Sequence, residues 1–379
     1  MGGQGLVTLF LCGDVMPGRG VDQILPHPGD PALREGYIRD ARDYVSLAES
    51  VNGEIPRPVD YAWPWGAALD VLNALRPDAR VIDLESSVTT SDAFAPGKAV
   101  TYRMHPDNLP FLAAARPDVC ALANNHVLDF GRGGLEETVD LLRGAGLGPA
   151  GAGRDAAEAR RPVAIELAGG GRVLVLSCGM ASAGIPSRWA ATQDRPGVDF
   201  VPDLSARSAD DLVRRLRQVR REGDLSVVSI HWGSNWGYAV SQSQTAFARR
   251  LIDGGVDIVH GHSSHHPRPV QVYRGKLILY GCGDLIDDYE GISGYERYRD
   301  DLRLMYFPSL DPATGELAAL RIAPMRARRM RLEHASAADA GWLCEVLSRA
   351  GRAFGTQVEP ELSGDGYLTL RWSRAASGV

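Results

Sequence analysis

An α/β fold built around a largely parallel sheet is what this chain of 379 residues predicts. Three observations point to it. Short, continuous apolar runs have the length of strands, segments with helical periodicity lie between them, and Gly- and Pro-rich stretches of turn composition separate the two.

Residues 6–12, Leu-Val-Thr-Leu-Phe-Leu-Cys, are almost wholly apolar, as in a strand buried on both faces, and the run ends at Gly13-Asp14. Residues 26–64 are rich in Pro and Gly with weak periodicity and read as surface loop, part of a lid. Helical pattern resumes near Trp65, and residues 79–85 make a second strand that ends in carboxylates, Asp83 and Glu85. A short helix at 106–115 leads to a third strand, 118–123, which hands over to Asn124-Asn125-His126. Residues 133–142 supply the next helix, and 162–167 and 172–177 read as a hairpin across Gly169-Gly170-Gly171. Residues 208–221 form a charged amphipathic helix.

The densest polar signal follows. The apolar run 227–230 delivers His231, and the run 256–259 delivers His260, His262, His265 and His266. Between them, 241–252 is a helix with Ser241 as N-cap and Gln244 closing a capping box. One histidine on an apolar strand is ordinarily a satisfied core group. Several converging ones would be costly to bury without a cation, because neutral imidazole is the commonest metal-binding side chain. Residues 269–273 and 276–280 form a second hairpin, joined by Arg274-Gly275 and leading into Gly281-Cys282-Gly283-Asp284. Short strands follow residue 302, then a helix from Ser336 to residue 350 and a last strand at 367–372.

Composition narrows the function classes. A formal net charge of −6 argues against nucleic-acid or anionic-membrane surfaces, and the Arg-rich patches at 214–221 and 326–331 read as solvated faces. Five scattered cysteines suggest neither a disulfide framework nor a thiolate zinc site, in keeping with a reduced cytoplasm. No secretion signal and no apolar run of membrane-spanning length is predicted. There is no Gly-x-Ser-x-Gly elbow and no phosphate-binding Gly-x-x-x-x-Gly-Lys loop, and the loose dinucleotide match at 151–156 reads as a tight turn.

Five expected strands thus end in Asp14, Glu85, Asn125-His126, His231 and His262-x-x-His265. One polar strand end is explained by a cap or turn, but five at the edge where parallel strands become loops resemble a dinuclear metal centre of carboxylate, amide and imidazole ligands. Arg19 and Arg103 are candidates for holding an anionic substrate.

The motifs Gly13-Asp14-Val15-Met16, Asp83-Leu84-Glu85, Asn124-Asn125-His126-x-x-Asp129-Phe130-Gly131, His231-Trp232-Gly233 and Gly261-His262-x-x-His265 resemble, in order, those of the CapA family. That family is named for poly-γ-glutamate capsule synthesis and belongs to the calcineurin-like metallophosphoesterase superfamily. The resemblance implies a four-layer α/β/β/α sandwich, with residues 1–325 as the CapA-like domain and 326–379 as an α+β extension packed on the same fold. It implies that Asp14 and His265 hold a first divalent metal ion, that Glu85 bridges, and that Asn125, His231 and His262 hold a second, with Mn, Fe or Zn the expected metals. His126 matches the histidine that protonates the leaving group, and Asp129 is expected to orient it.

Three departures stand out. Met16 replaces the histidine usual two positions after the first aspartate, Ser263-Ser264 replaces the middle of a Gly-His-His-Pro-His pattern, and Asp284 replaces a common Asn, which assigns it to the substrate side. The activity implied is hydrolysis of an ester or amide bond, of phosphoester or γ-glutamyl type, by metal-activated water. The alternative is a non-catalytic accessory protein of capsule-polymer synthesis that binds an anionic, polyglutamate-like chain.

Overall fold

The Val7–Val15 strand is the axis of the first of two sheets in a computed structural model that describes residues 5–373. Its side chains alternate between faces, so that Leu9 and Leu11 point toward the second sheet while Phe10 and Cys12 point into a layer of helices. Its continuous apolar run is therefore buried on both sides.

On one flank Ala79–Leu84, Val119–Ala121 and Gly148–Ala150 follow as parallel neighbours. On the other, Leu302–Leu310, Leu317–Ala327, Leu368–Trp372 and Thr356–Pro360 run antiparallel to one another. The expectation of a largely parallel sheet fails for this half. Its links at 311–316 and 361–367 are too short for the crossover that parallel pairing requires and allow only hairpins.

The second sheet has Arg172–Met180, Leu225–His231, Ile258–His262 and Lys276–Leu279 in parallel, with Val163–Glu166 and Val270–Tyr273 added at opposite ends as antiparallel hairpin partners. Both expected hairpins are present. Arg274 (φ 50) and Gly275 (φ 74) both take the left-handed backbone that a tight two-residue turn between twisted strands demands.

Leu9, Leu11, Val81, Val119, Val175, Val227, Ile258 and Leu279 fill the layer between the sheets. The outer face of the first sheet is covered by helices that include Ala68–Leu75, Pro110–Ala115 and Gly131–Gly144, and that of the second by Ala206–Val219 and Gln242–Asp253. The chain is a four-layer α/β/β/α sandwich. At its edge the Ala337–Gly351 helix, started by a Ser336–Asp339 capping box, sets Leu343 and Leu347 into the inter-sheet layer beside Val358 and Leu370.

One stretch read as loop contains a helix, Arg42–Asn52, which buries Tyr44, Val45 and Ala48 against the first sheet's outer layer. Three buried residues in an 11-residue helix, within a stretch rich in Pro and Gly, are too few to produce a periodic signal. No helix among the described residues is long and apolar enough to cross a membrane.

The site is positioned by register. Asp14 pairs with Asp83 on one side and Asp284 on the other, and His231 pairs with His262. His260, one turn of the pleat earlier, crosses between sheets and lies 2.8 Å from the Cys12 carbonyl. The ends of both sheets are thereby held face to face.

Candidate metal centre

Two sets of ligand atoms converge at these strand ends. Asp14, Asp83, His231 and His262 form one and Asp14, His265 and Asp284 the other, each with its atoms within 4.8 Å of one another and all six residues buried. Asp14 belongs to both. Its carboxylate also accepts from the Ser263 backbone N–H at 3.2 Å, which fixes its orientation.

Fixed acceptors determine where the imidazole protons lie. The Cys12 carbonyl can only accept, so His260 donates from Nε2 and its neutral ring leaves Nδ1 to accept from Ser229 Oγ, 3.1 Å away. Ser229 Oγ must then accept from His262 Nε2–H at 2.9 Å, which leaves His262 Nδ1 bare. At His231, Nε2–H donates to Asn125 Oδ1 at 2.8 Å, and in the neutral ring Nδ1 is bare as well. These two lone pairs face each other at 2.8 Å, each 3.4 Å from Asp83 Oδ2. Metal-ligating histidines show this pattern, with the far nitrogen donating to a supporting group and the near one free.

Orphaned atoms give the same answer. Asp83 Oδ2, Glu85 Oε2 and Asp284 Oδ2 are buried without a hydrogen-bond partner, a condition that carries a desolvation penalty unless something positive meets it. Burial, reinforced by Glu85, Asp83 and Asp284, pushes the Asp14 carboxyl well above its ordinary range. Burial likewise pushes Glu85 up to about 7. Burial raises the Asp83 carboxyl too, and positive charge at the facing His262–His231 pair, or in its place, lowers it. Against burial, the 2.9 Å pairing of His265 Nδ1 with Asp284 raises the imidazole and lowers the carboxyl. Four carboxylates gathered with mixed nitrogen donors fit divalent cations, and the N/O set suits Mn, Fe or Zn.

His126 forms the opposite wall. Its Nδ1–H donates to Asp129 Oδ2 at 2.6 Å, and its Nε2 points toward Glu85 Oε1 at 3.6 Å. Burial lowers its pKa to about 4 even against the pull of Asp129, so the ring rests neutral with Nε2 bare. Lys98 closes this wall, with Nζ 2.5 Å from the Asn125 carbonyl and 3.1 Å from Asp129 Oδ1. The cleft has a volume of about 260 Å³ and is lined by Glu85, Lys98, Asn125, His126, His265 and Tyr289 among others.

The family model for the bacterial capsule synthesis protein PGA_cap matches residues 8–289. The chain belongs to the PGA_cap family. A probable polyglutamine synthesis accessory protein of Mycobacterium tuberculosis is 55% identical over 358 residues, 94% of each chain. The PGA biosynthesis protein CapA of Bacillus subtilis is 24% identical over 304 residues, 79% of this chain and 67% of that one. A crystal structure of the 5′-nucleotidase precursor from Thermus thermophilus aligns with a TM-score of 0.45 and 16% identity, over 84% of this chain and 54% of that one.

In this PGA_cap chain the structure brings together Asp14, Glu85, Asn125, His126, Asp129, His231, His262, His265 and Asp284. Their arrangement differs in detail from the expected one. Asp14 is the residue common to both candidate ligand sets, Asp83 and Asp284 offer further ligand atoms, and Asn125 meets His231. Arg19 lies outside the cleft with its guanidinium engaged by Asp288 and Glu35, and Arg103 reaches Asp92 and the Ser91 carbonyl. Of the five clustered histidines, His260 is the inter-sheet link described above and His266 accepts from the Gly237 N–H.

Sequence reasoning passed over Asp83, Ser229 and Lys98. Asp83 had a signal, because it stands two positions before Glu85 on one strand and so shares its face. Lys98 had a weaker one, as one of only two lysines among the 41 Lys and Arg residues.

Proposed function

We propose that the protein is a cation-dependent hydrolase of an ester or amide bond, of phosphoester or γ-glutamyl type, in a substrate related to poly-γ-glutamate or capsule polymer. One observation carries this reading. Glu85 Oε1 stands 3.6 Å from His126 Nε2 and 3.7 Å from His231 Nε2, so a proton-transfer group and the cation ligands share one cleft. The names of the Mycobacterium and Bacillus relatives support the polymer class.

Cations held by Asp14, Asp83, Asp284, His231, His262 and His265 would bring the pKa of water from about 15.7 to about 7 and polarise the scissile oxygen. The chain supplies the rest. Asp129 fixes the His126 tautomer, so Nε2 is the atom that takes a proton from the attacking water and passes it to the leaving oxygen or nitrogen. Lys98 places positive charge at the same wall, where a carboxylate or phosphoryl group of the substrate would rest.

A second reading is an accessory protein that binds polymer without turnover, and the word "accessory" in the Mycobacterium relative's name favours it. Metal-reconstituted protein assayed against phosphodiester and γ-glutamyl amide panels separates the two. Hydrolysis predicts turnover that falls about 10²- to 10⁴-fold in His126→Gln with cation content unchanged. Polymer binding with full cation content and no His126-dependent turnover supports the accessory role.

A further inference from the structure

Beside the metal cleft lies a second cavity of about 220 Å³. The two share Val100, Asn235, His265 and Tyr289 as walls. Resting on the hydrolase reading, we propose that this cavity is a substrate subsite for an apolar group of aromatic size, adjacent to the bond that is cut.

The walls have that character. Trp236 and Tyr295 lie flat on each other, with ring centroids 4.0 Å apart and planes 4° apart, and Tyr295 is 38% exposed. Val100, Ile292, Tyr44, Tyr102 and Tyr289 also line it. His265 joins the cavity to the cation cluster, because its ring sits between Trp236 at 5.4 Å and Tyr289 at 5.2 Å. An occupant stacked there stands against a ligand of the second cation set.

Charge excludes the other obvious occupant, an acidic side chain. Arg19 is the cation of this cavity, and it is taken: Asp288 holds its Nε and Nη2, Glu35 holds Nη1, and its guanidinium covers the Tyr44 ring at 3.6 Å. Asp300, which also lines the cavity, adds negative charge. With Arg19 held by Asp288 and Glu35 and His265 paired with Asp284, a carboxylate or phosphate would find no unengaged cationic side chain among these walls. An aromatic ring would find stacking partners, which favour it beyond simple burial.

The test uses two probe pairs with the same reacting group, γ-glutamyl p-nitroanilide with γ-glutamyl methylamide and p-nitrophenyl phosphate with methyl phosphate. Binding to the Mn²⁺-reconstituted full chain is measured by calorimetry for wild type, Trp236→Leu and Tyr295→Ala. Melting temperature and cation content establish that each variant is folded and loaded, and the exposed position of Tyr295 makes its variant the safer one. In at least one pair the aromatic member binds about tenfold tighter to wild type, and both variants reduce that preference to threefold or less. No aromatic preference in either pair, no binding of either aromatic probe, or a preference untouched by the variants overturns the subsite. Turnover of the same probes reports separately on hydrolysis. Preference without turnover removes the hydrolase and keeps the subsite, whereas turnover without preference does the reverse.

Discussion

His231 Nδ1 and His262 Nδ1 face each other across 2.8 Å at the paired ends of neighbouring parallel strands. In the neutral rings neither carries a proton, because the far nitrogens donate to Asn125 and Ser229. Two bare nitrogens beside a carboxylate oxygen without a partner is an arrangement that a neutral core would not hold and that a cation would.

Ser229 is therefore a support for the site rather than a member of it. Ser229→Ala removes the acceptor that fixes the His262 tautomer, and cation affinity is expected to fall about 10- to 100-fold, with the stoichiometry at saturation and the fold unchanged. Calorimetric titration of the chelator-treated variant measures this. Unaltered affinity would mean that His262 needs no such support.

Without cations the site should be a stability cost that depends on pH. Burial pushes Glu85 up to about 7, with His231 opposing the rise and Asp83 adding to it, from an ordinary value of 4.5. Between those values the folded chain keeps a proton that the unfolded chain releases, so folded stability falls as pH rises through this window and levels off above it. Relative to Glu85→Gln, metal-free wild type is expected to lose stability from pH 5 to pH 8, by a few kcal/mol at most. Urea denaturation of both proteins at the two pH values gives the comparison, and parallel pH curves would contradict it.

Gly13 is required by packing next to the first ligand. A Cβ at this position would lie 1.7 Å from the Gly283 carbonyl oxygen, across the parallel contact that sets Asp14 beside Asp284. Gly13→Ala is expected to cost about 3 kcal/mol or more and to lower cation affinity, because the two strand ends must separate. Chemical denaturation together with cation titration tests both parts, and a variant as stable as wild type would place the strands further apart than described.

Much of this was legible in the sequence, for identifiable reasons. Asp14, His231 and His262 follow apolar runs, and a polar side chain that ends a buried strand is conspicuous. Asp83 was visible as a carboxylate at its strand end but had no role assigned, and only the two-residue alternation with Glu85 puts it on the ligand face. Lys98, Val100, Trp236 and Tyr295 lie on loops without periodicity, and they reach the cleft through tertiary folding alone. Arg19 had the chemistry of an anion receptor, but Asp288, 269 positions away, already occupies it. The antiparallel half of the first sheet follows from short links, which the strand and helix alternation of the first 300 residues does not foretell.

Cation content tests the central claim most directly. Protein purified without chelators and analysed by plasma mass spectrometry is expected to carry about one to two equivalents of a divalent transition metal per chain. His265→Ala removes only the share held with Asp284, whereas Asp14→Asn, which touches both ligand sets, leaves the folded chain nearly empty. Wild-type protein that is folded, holds no metal, and takes up neither Mn²⁺ nor Zn²⁺ on titration would contradict the account.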